Sequence, residues 1–290
     1  MTHEQQIQTT CAQVFNTDRE NVRLVERLMG GMSNYTYIVE VDNKKYTYRI
    51  TGKNADNFVD RDVEAYHLKF IEPLALNNKT VYFDQESGVK IAEYVEGVPL
   101  HEKDPYDYLD EAAEVLRNIH KNSERSKYDY EPFQRLDKYE SYLRELGHSH
   151  EKRYTEYKRK LLSHKDFLAK GDLTLVHGDA QISNFIATEK GLRLTDWEFT
   201  GNADPFHDIA CFGNNNFDHA IALLPIYLRR TPTGDDYKRL YLRRVFQCLQ
   251  WHNVALFKDK IGLSEDLNID FGYVGGLYLD KAEALLSKLK

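Results

Sequence analysis

Three side chains that can hold a metal ion or move a proton lie within one short part of the chain. Asp179 is followed five residues later by Asn184, and Asp196 comes a further twelve residues along. A carboxylate can take the proton of a hydroxyl group, while an amide and a second carboxylate can hold Mg²⁺ against phosphates. These residue types, in this order, predict the chemistry of phosphoryl transfer.

The segments around these residues predict the elements that must position them. Residues 174–176 read as a strand that enters the loop of Asp179, and 185–187 as a strand that leaves it. A turn at 189–191 and a strand at 192–195 follow. Asp, Asn and Gly are also ordinary turn residues, so the spacing alone fits a loop that caps its own backbone. The flanking strands favour a kinase-type loop of the pattern H-x-D-x-x-x-x-N.

The length and composition of the chain limit the class of protein that it can be. A chain of 290 residues is long enough for two lobes that each bury a core. Its 41% hydrophobic and 12% aromatic residues are typical of a globular protein and argue against disorder. The net charge of −7 argues against a nucleic-acid partner and suits a cationic small molecule.

No segment of the sequence predicts secretion or membrane insertion. Residues 1–8 lack the basic start and apolar centre of a signal peptide, and no apolar run approaches the length of a membrane span. Cys11, Cys211 and Cys248 are not spaced as zinc ligands or as a disulfide framework. We therefore expect a cytoplasmic protein with reduced thiols.

Hydrophobic periodicity predicts a small β-rich lobe near the N-terminus. After an N-terminal helix, residues 22–50 alternate as strands do, with turn signals at 29–31 and 42–44. This pattern predicts a three-stranded antiparallel meander. The apolar spacing of 57–74 predicts a helix that packs on this sheet, and 89–95 predicts another strand.

Beyond Gly97 the periodicity becomes helical over long stretches, notably 109–119 and 245–256. We therefore expect a nucleotide-binding lobe of residues 1–95 and a catalytic and acceptor-binding lobe of residues 96–290. The predicted fold class is α+β, with a small antiparallel β-rich lobe and a larger, mainly helical lobe.

A glycine-containing turn between the first two predicted strands is a candidate phosphate contact. Gly30 and Gly31 would let the backbone approach a phosphate, and Ser33 and Asn34 follow them closely. Two glycines also fit an ordinary hairpin turn, so the nucleotide interpretation depends on the catalytic motif downstream.

A possible ion pair lies further along the same lobe. Arg49 is on the third predicted strand and Glu64 on the helix after it, where protein kinases carry a phosphate-binding lysine and its glutamate partner. Taken alone, the two residues would fit a solvated surface pair. Their order along the chain favours the functional interpretation.

These motifs together resemble those of the choline/ethanolamine kinase group, within the aminoglycoside-phosphotransferase-like kinases. LMGGMSN at 28–34 is similar to that family's glycine-rich loop, YTYRI at 46–50 to its third strand and HGDAQISN at 177–184 to its catalytic loop. TDWEF at 195–199 and NADPFHDIA at 202–210 resemble the segments that complete the pattern. The likeness covers nearly the whole chain and implies a two-lobe protein-kinase-like fold that uses ATP and Mg²⁺.

The resemblance implies a role for each residue of the catalytic segment. Asp179 would be the catalytic base, and Asn184 and Asp196 would be the magnesium ligands. Asp208 and His177 would be structural residues that hold the catalytic loop by hydrogen bonds.

The resemblance also implies which residues meet ATP. Arg49 and Glu64 would position its phosphates, and the backbone of the hinge from Glu93 to Val95 would contact adenine. The glycine-rich turn would lie over the phosphates.

Similarity to the family implies an acceptor pocket made of Gln181, Glu198, Trp251 and Tyr278. A quaternary ammonium cannot donate hydrogen bonds, so aromatic faces and a carboxylate are the groups that hold it. Trp251 also lies near an apolar helical stripe and equally fits ordinary core packing.

One position departs from the family pattern. Similar choline kinases often carry a second Trp three residues after the first, where this chain has Val254. A thinner aromatic cage leaves room for ethanolamine, thiamine or an aminoglycoside as the acceptor. A catalytically inactive nucleotide-binding regulator is the alternative of another class, but Asp179, Asn184 and Asp196 are all intact and argue against it.

Overall fold

A computed structural model describes residues 2–28, 34–122 and 124–289. The chain forms two compact units. Unit 1 comprises residues 1–103 and 183–199, and unit 2 comprises residues 104–182 and 200–290. Gly30, Gly31 and Ser33, which the sequence predicts to contact phosphates, lie outside the described residues.

Strands and helices are largely separated between the units, with most strands in unit 1 and most helices in unit 2. The strands are β1 (Val22–Leu28), β2 (Asn34–Val41), β3 (Lys44–Thr51), β4 (Thr80–Phe83), β5 (Lys90–Glu93), β6 (Val98–Pro99), β7 (Thr174–Val176), β8 (Phe185–Thr188), β9 (Gly191–Leu194) and β10 (Gly201–Ala203). The α-helices are α1 (His3–Phe15), α2 (Arg61–Phe70), α3 (Leu109–His120), α4 (Pro132–Glu145), α5 (Lys152–Leu162), α6 (Lys165–Leu168), α7 (Phe206–Phe212), α8 (Phe217–Leu228), α9 (Gly234–Lys260), α10 (Leu263–Leu267) and α11 (Phe271–Ser287).

The main sheet of unit 1 is antiparallel, with the strand order β1-β2-β3-β5-β4. Side chains alternate between its two faces, as in any strand. Tyr48 and Ile50 of β3 join Ile7 and Cys11 of α1 in a buried apolar core. Arg49, between them in sequence, therefore lies on the opposite face, and the alternation sets the place of this one functional side chain.

A second, three-stranded sheet of unit 1 has the order β6-β8-β9. Its strands β8 and β9 form a hairpin in which Phe185 is paired with Leu194 and Thr188 with Gly191. Phe185 and Leu194 are fully buried. Their burial fixes the register at the open end of the hairpin, where the chain enters and leaves.

Unit 2 is mainly helical and is organised around α9, 27 residues long. Thr233 and Asp236 form a capping box at its start, and residues around most of its circumference are buried. The helix packs along α11 and also contacts α4, α5 and α7. In the described part of the chain, no helix is long and apolar enough to span a membrane.

The structure confirms the predicted fold class and most predicted elements. The meander is formed by β1, β2 and β3, and the strand, loop and hairpin course of the catalytic segment is formed by β7, β8 and β9. The helix predicted over 57–74 is shorter, because 3-10 turns replace both of its ends. The division of the chain into lobes at residue 95 stays a prediction beside the two discontinuous units.

Candidate active site

The two predicted magnesium ligands of unit 1 lie at the open end of the β8–β9 hairpin. Asn184 directly precedes β8, and Asp196 follows β9 by two residues. The N–H of Thr195 donates to the Asn184 carbonyl at 2.9 Å, so the hairpin pairing extends one step beyond the strands. The hairpin thereby places both residues at the same end of one local element.

Asp196 adopts a backbone conformation that few residues tolerate. Its φ of 67° lies in the left-handed region, where Asp is better accommodated than most side chains. Next to it, Trp197 is buried and donates its indole N–H to the Leu194 carbonyl at 2.7 Å. The anchored Trp197 ring holds the turn after β9 in one conformation, so the backbone that carries the Asp196 carboxylate is fixed.

A buried cluster of charges surrounds Glu64 in unit 1, on the face of the main sheet opposite the apolar core with α1. Arg49 makes a bidentate contact with Glu64, with N–O distances of 2.6 and 2.9 Å. Arg61 reaches the same carboxylate at 2.9 Å, and Lys90 reaches it at 3.4 Å. Burial favours a neutral Glu64, but Lys90, Arg49 and Arg61 outweigh it and lower the pKa of Glu64 to about 2. Glu64 is therefore charged under ordinary conditions.

Glu198 belongs to the same cluster of unit 1. Its carboxylate accepts from Arg49 Nη1 at 3.1 Å and from the Asn34 amide at 3.1 Å. Burial and then the nearby Asp196 carboxylate raise the pKa of Glu198 to about 7, although Arg49 opposes them. The structure thus places Asn34 and Glu198 beside Arg49, and the predicted contact of Glu198 with an acceptor stays a prediction.

The predicted hinge residues lie at the edge of a cavity in unit 1. Glu93 ends β5, and its N–H donates to the Lys79 carbonyl at 2.9 Å. Glu93 and Val95 line a cavity of about 1170 Å³ together with residues of β4, the end of α2 and the β8–β9 hairpin. Among the described residues, Arg49 and Asn184 are not part of its lining. The predicted contact of the hinge with adenine stays a prediction.

The catalytic loop of unit 2 is held by Asp208 at the start of α7. One carboxylate oxygen of Asp208 accepts the N–H of His177 at 2.7 Å, and the other accepts the N–H of Gly178 at 2.9 Å. His120 Nε2 lies 3.0 Å from the first of these oxygens. Gly178 has a φ of 84°, which glycine adopts without steric cost. The predicted structural role of Asp208 is confirmed.

Asp179, the predicted catalytic base, is buried in unit 2 among side chains of the same unit. Its N–H donates to His177 Nδ1 at 3.2 Å, so the proton of this imidazole is on Nε2. Oδ2 accepts from the Gln181 amide at 3.0 Å, and the thiol of Cys211 lies 3.5 Å from Oδ1. His177 therefore supports the loop, as predicted.

The two predicted aromatic acceptor residues lie on neighbouring helices of unit 2. Trp251 is half-buried on α9, and Tyr278 is buried on α11. The ammonium of Lys281 lies 5.5 Å from the centre of the Tyr278 ring. Val254, at the position of the second Trp of similar kinases, is 2% exposed and belongs to the core.

Several residues of the charged cluster and of the loop support were missed in the sequence. Arg61 is three positions before Glu64, a helical spacing that was available as a signal. Lys90 faces Arg49 across β5 and β3, a pairing that requires the strand order of the sheet. The sequence around His120 does not predict its contact with Asp208, because His120 lies on α3, far from Asp208 in sequence.

Comparisons with known proteins agree with this geometry. The family model of choline/ethanolamine kinases matches residues 25–239. Protein LicA of Haemophilus influenzae is 23% identical over 279 residues, which are 90% of this chain and 79% of that protein. The choline kinase LicA of Streptococcus pneumoniae has a similar structure, with a TM-score of 0.82, 25% identity and coverage of 98% of this chain and 99% of that chain.

A structure of LicA in complex with AMP is also similar, with a TM-score of 0.78, 23% identity and full coverage of both chains, 100% and 100%. The family match covers most of this chain and includes the catalytic loop, the hairpin and the charged cluster. The chain therefore belongs to the choline/ethanolamine kinase family and is a nucleotide-binding kinase that phosphorylates the hydroxyl group of a small molecule.

Proposed function

We propose that this kinase transfers the γ-phosphoryl group of ATP to the hydroxyl group of choline, giving phosphocholine and ADP. The observation that carries the proposal is the buried, bidentate Arg49–Glu64 pair in unit 1. Such a pair fixes a guanidinium beside which phosphates can be held. The similarity to a choline kinase of 25% identity supports choline as the acceptor.

The reaction needs one proton transfer and one exchange of bonds at phosphorus. The choline oxygen forms a bond to the γ-phosphorus while the bond from that phosphorus to the β,γ-bridging oxygen breaks and leaves ADP. The hydroxyl proton passes to the Asp179 carboxylate. Asp208 and His177 fix the backbone on the N-terminal side of Asp179, so the carboxylate has little freedom to leave its position.

Asn184 and Asp196 have the chemistry that Mg²⁺ requires. Both offer oxygen donors at the open end of the same hairpin. Within the described ranges, no group of three or more His, Cys, Asp or Glu residues could hold a metal. The pair of Asn184 and Asp196 suits Mg²⁺, which usually binds to one or two carboxylates together with substrate phosphates and water. When bound, the ion would neutralise phosphate charge.

The charged cluster of unit 1 suits the phosphates themselves. Three cations, Arg49, Arg61 and Lys90, meet the carboxylates of Glu64 and Glu198. Arg61 also pairs with Asp56 at 3.0 Å. Two buried N–H groups, Arg49 Nε and Arg61 Nη2, have no hydrogen-bond partner in the described structure. Buried donors of this kind favour an anionic ligand.

The acceptor side of the proposal rests on aromatic residues of unit 2. Trp251 and Tyr278 would offer ring faces to a quaternary ammonium, and the Gln181 amide lies beside Asp179. Because Val254 stands where similar kinases often carry a second Trp, the proposed cage would have one aromatic residue fewer than theirs. This observation favours ethanolamine as a second candidate, since its ammonium can donate hydrogen bonds.

The test is ADP release from ATP and Mg²⁺ with choline, ethanolamine, thiamine and an aminoglycoside as separate acceptors. We expect choline to give the highest kcat/KM. Turnover of another acceptor alone would retain the kinase and reject choline. Binding of ATP without turnover of any acceptor would favour the inactive regulator.

A matched pair of variants connects the activity to this site. Asp179→Asn removes the proton acceptor and should lower kcat at least about 100-fold while ATP binding is retained. Asp172→Asn makes the same change at an exposed position of unit 2 and should have no effect. Near-normal turnover of Asp179→Asn would reject Asp179 as the base.

A further inference from the structure

Arg244 of α9 is a buried arginine whose contacts do not include a carboxylate. It is 1% exposed, and its hydrogen bonds to the residues that the structure describes go to amide and carbonyl oxygens. Its guanidinium donates to Asn214 and to the Gln247 side chain. Burial of an arginine that lacks an anionic partner is costly, so the hydrogen bonds of Arg244 must offset that cost.

A chain of hydrogen bonds leads from Arg244 to the predicted catalytic base within unit 2. Arg244 Nη2 donates to Asn214 Oδ1 at 2.6 Å. Asn214 Nδ2 donates to Gln181 Oε1 at 2.9 Å. Gln181 Nε2 then donates to Asp179 Oδ2 at 3.0 Å. Two side-chain amides therefore connect α9 with the catalytic loop.

The groups at the two ends of this series of hydrogen bonds determine the orientation of each side-chain amide. A guanidinium can only donate, so the oxygen of Asn214 must face Arg244 and its NH₂ group must face Gln181. The oxygen of Gln181 then accepts from Asn214, and its NH₂ group faces Asp179. An ionised carboxylate can only accept, so the opposite end requires the same direction.

Asn214 is held from a second side as well. Its backbone carbonyl accepts from Arg244 at 3.2 Å and from the Lys281 ammonium at 3.0 Å. Both of its oxygens thus face cations, and a rotation of its amide would place NH₂ against a guanidinium. The Asn214 side chain, in the turn between α7 and α8, is therefore held in one orientation between Arg244 and Gln181.

We propose that Arg244 is a positioning residue for phosphoryl transfer. Acting through Asn214 and Gln181, it keeps an N–H of Gln181 on Asp179 and so holds the carboxylate in the orientation that receives the hydroxyl proton. Without this constraint the Gln181 amide can turn its oxygen toward Asp179 and repel the carboxylate. The proposal rests on the proposed function of Asp179 as the base.

Asn214→Asp is the variant that separates positioning from folding. The new carboxylate keeps the shape of the side chain and strengthens its contact with Arg244, but it can no longer donate to Gln181. We expect kcat with choline to fall about tenfold or more, with the KM for ATP within about twofold of the wild type. The melting temperature should stay equal or rise. Asn118→Asp, which adds the same charge at an exposed position of α3 in unit 2, should leave kcat unchanged.

A double-mutant cycle with Gln181→Leu tests the connection directly. Gln181→Leu removes the last link, so Asn214→Asp should change kcat by less than about twofold in that background. A full tenfold loss in both backgrounds would show that Asn214→Asp acts by another route and would overturn the proposal. The cycle remains decisive if either single variant lowers stability, because the comparison is made within each background.

Arg244→Lys and Arg244→Met provide the second test. Lysine still donates, so it should restore part of the kcat that methionine loses. Equal losses in both variants, or normal kcat in Asn214→Asp, would overturn the relay. Wild-type turnover of choline with unaffected variants would reject the relay alone, whereas an inactive wild type would reject the proposed function.

Discussion

The two units of this kinase hold their functional carboxylates by different means. In unit 1, Glu64 is surrounded by Arg49, Arg61 and Lys90, so opposite charges fix it. In unit 2, Asp208 is fixed chiefly by two backbone N–H groups, and Asp179 by an amide and a thiol. Charge fixes the residues proposed to meet phosphates, and directed N–H groups fix the loop of the proposed base.

The difference has a physical reason. Phosphates bring several negative charges, and cations whose buried N–H groups are not all used by carboxylates can receive them. A general base must keep its own affinity for a proton, and a guanidinium in direct contact would reduce it. Neutral donors orient a carboxylate at a smaller electrostatic cost. The two kinds of support should therefore respond differently to substitution and to pH.

The largest effect should come from breaking the backbone support in unit 2. In Asp208→Asn, the NH₂ group must face either the N–H of His177 or that of Gly178, so one buried donor loses its acceptor. We expect a loss of about 3–5 kcal/mol in the free energy of unfolding and a collapse of kcat. Urea unfolding and single-turnover assays measure the two effects. Asp218→Asn, at an exposed position of α8, is the control; equal stability of both variants would contradict the anchoring role.

Breaking the charge support in unit 1 should have the next largest effect. Glu64→Gln leaves Arg49, Arg61 and Lys90 with one carboxylate fewer and should cost about 3 kcal/mol of stability at neutral pH. The KM for ATP should rise, while the KM for choline changes little.

The sign of the pH effect follows from the lowered pKa of Glu64. A folded-state pKa of about 2, below the ordinary 4.5, contributes stability above pH 4.5 that is lost as the pH falls toward 2. Glu64→Gln should lack this loss in acid unfolding curves. Glu72→Gln, at an exposed position of unit 1, should keep it. An unchanged curve for Glu64→Gln would contradict the stabilising role of the cluster.

The two regions also differ in how much of their structure the sequence predicts. The hairpin that carries Asn184 and Asp196 is local, so alternation and turn residues predict it. The Arg49–Glu64 pair followed from the order of a strand and a helix. The supports of the catalytic loop could be named only partly, since Asp208 is near in sequence but His120 is not.

Long-range placement explains the rest of what the sequence did not show. Lys90 contacts Glu64 because β5 lies beside β3, an order that periodicity does not encode. Arg244 reads as an ordinary polar position on a long helix, and its burial follows from the packing of α9 among its neighbours. Asn214 reads as a turn residue. Only the three-dimensional structure shows that these two side chains meet.

Mild acid should distinguish the two units at a pH where Glu64 is still charged. Burial first, and then His150 and His148, lower the pKa of His252 in unit 2 to about 4, although its bond to the Gly275 carbonyl opposes them. A folded pKa below the ordinary 6.5 means that this stability is present above pH 6.5 and is lost as the pH falls through 4. Between about pH 6.5 and 5 the loss should be about 2 kcal/mol.

The variant that tests this effect is His252→Asn. Its amide can still donate to the Gly275 carbonyl, as Nδ1 of His252 does at 2.8 Å, but it does not titrate. Hydrogen exchange of α9 and α11 should become less dependent on pH in the variant than in the wild type. A wild-type slope retained in the variant would assign the acid sensitivity to other groups, of which His207, with a pKa lowered by burial to about 4, is the first to examine.

The smallest effect should come from the cation beside the predicted acceptor cage. The Lys281 ammonium lies 5.5 Å from the Tyr278 ring, the kind of position that a choline ammonium would take. Because Lys281 is exposed, solvent screens most of its repulsion. Lys281→Met should therefore lower the KM for choline only about twofold and leave the KM for ATP unchanged.

Lys288→Met is a close control, because the Lys288 ammonium lies 5.8 Å from the ring of Tyr241, which is not predicted to meet the acceptor. A lower KM for choline in both variants would indicate a general effect of net charge on a cationic substrate. A lower KM in Lys281→Met alone would place the ammonium of choline near Tyr278. An increased KM would remove Tyr278 from the cage and leave Trp251 as its aromatic candidate. Acceptor recognition in unit 2 would then depend on one ring and on neutral donors, in contrast to the paired charges of unit 1.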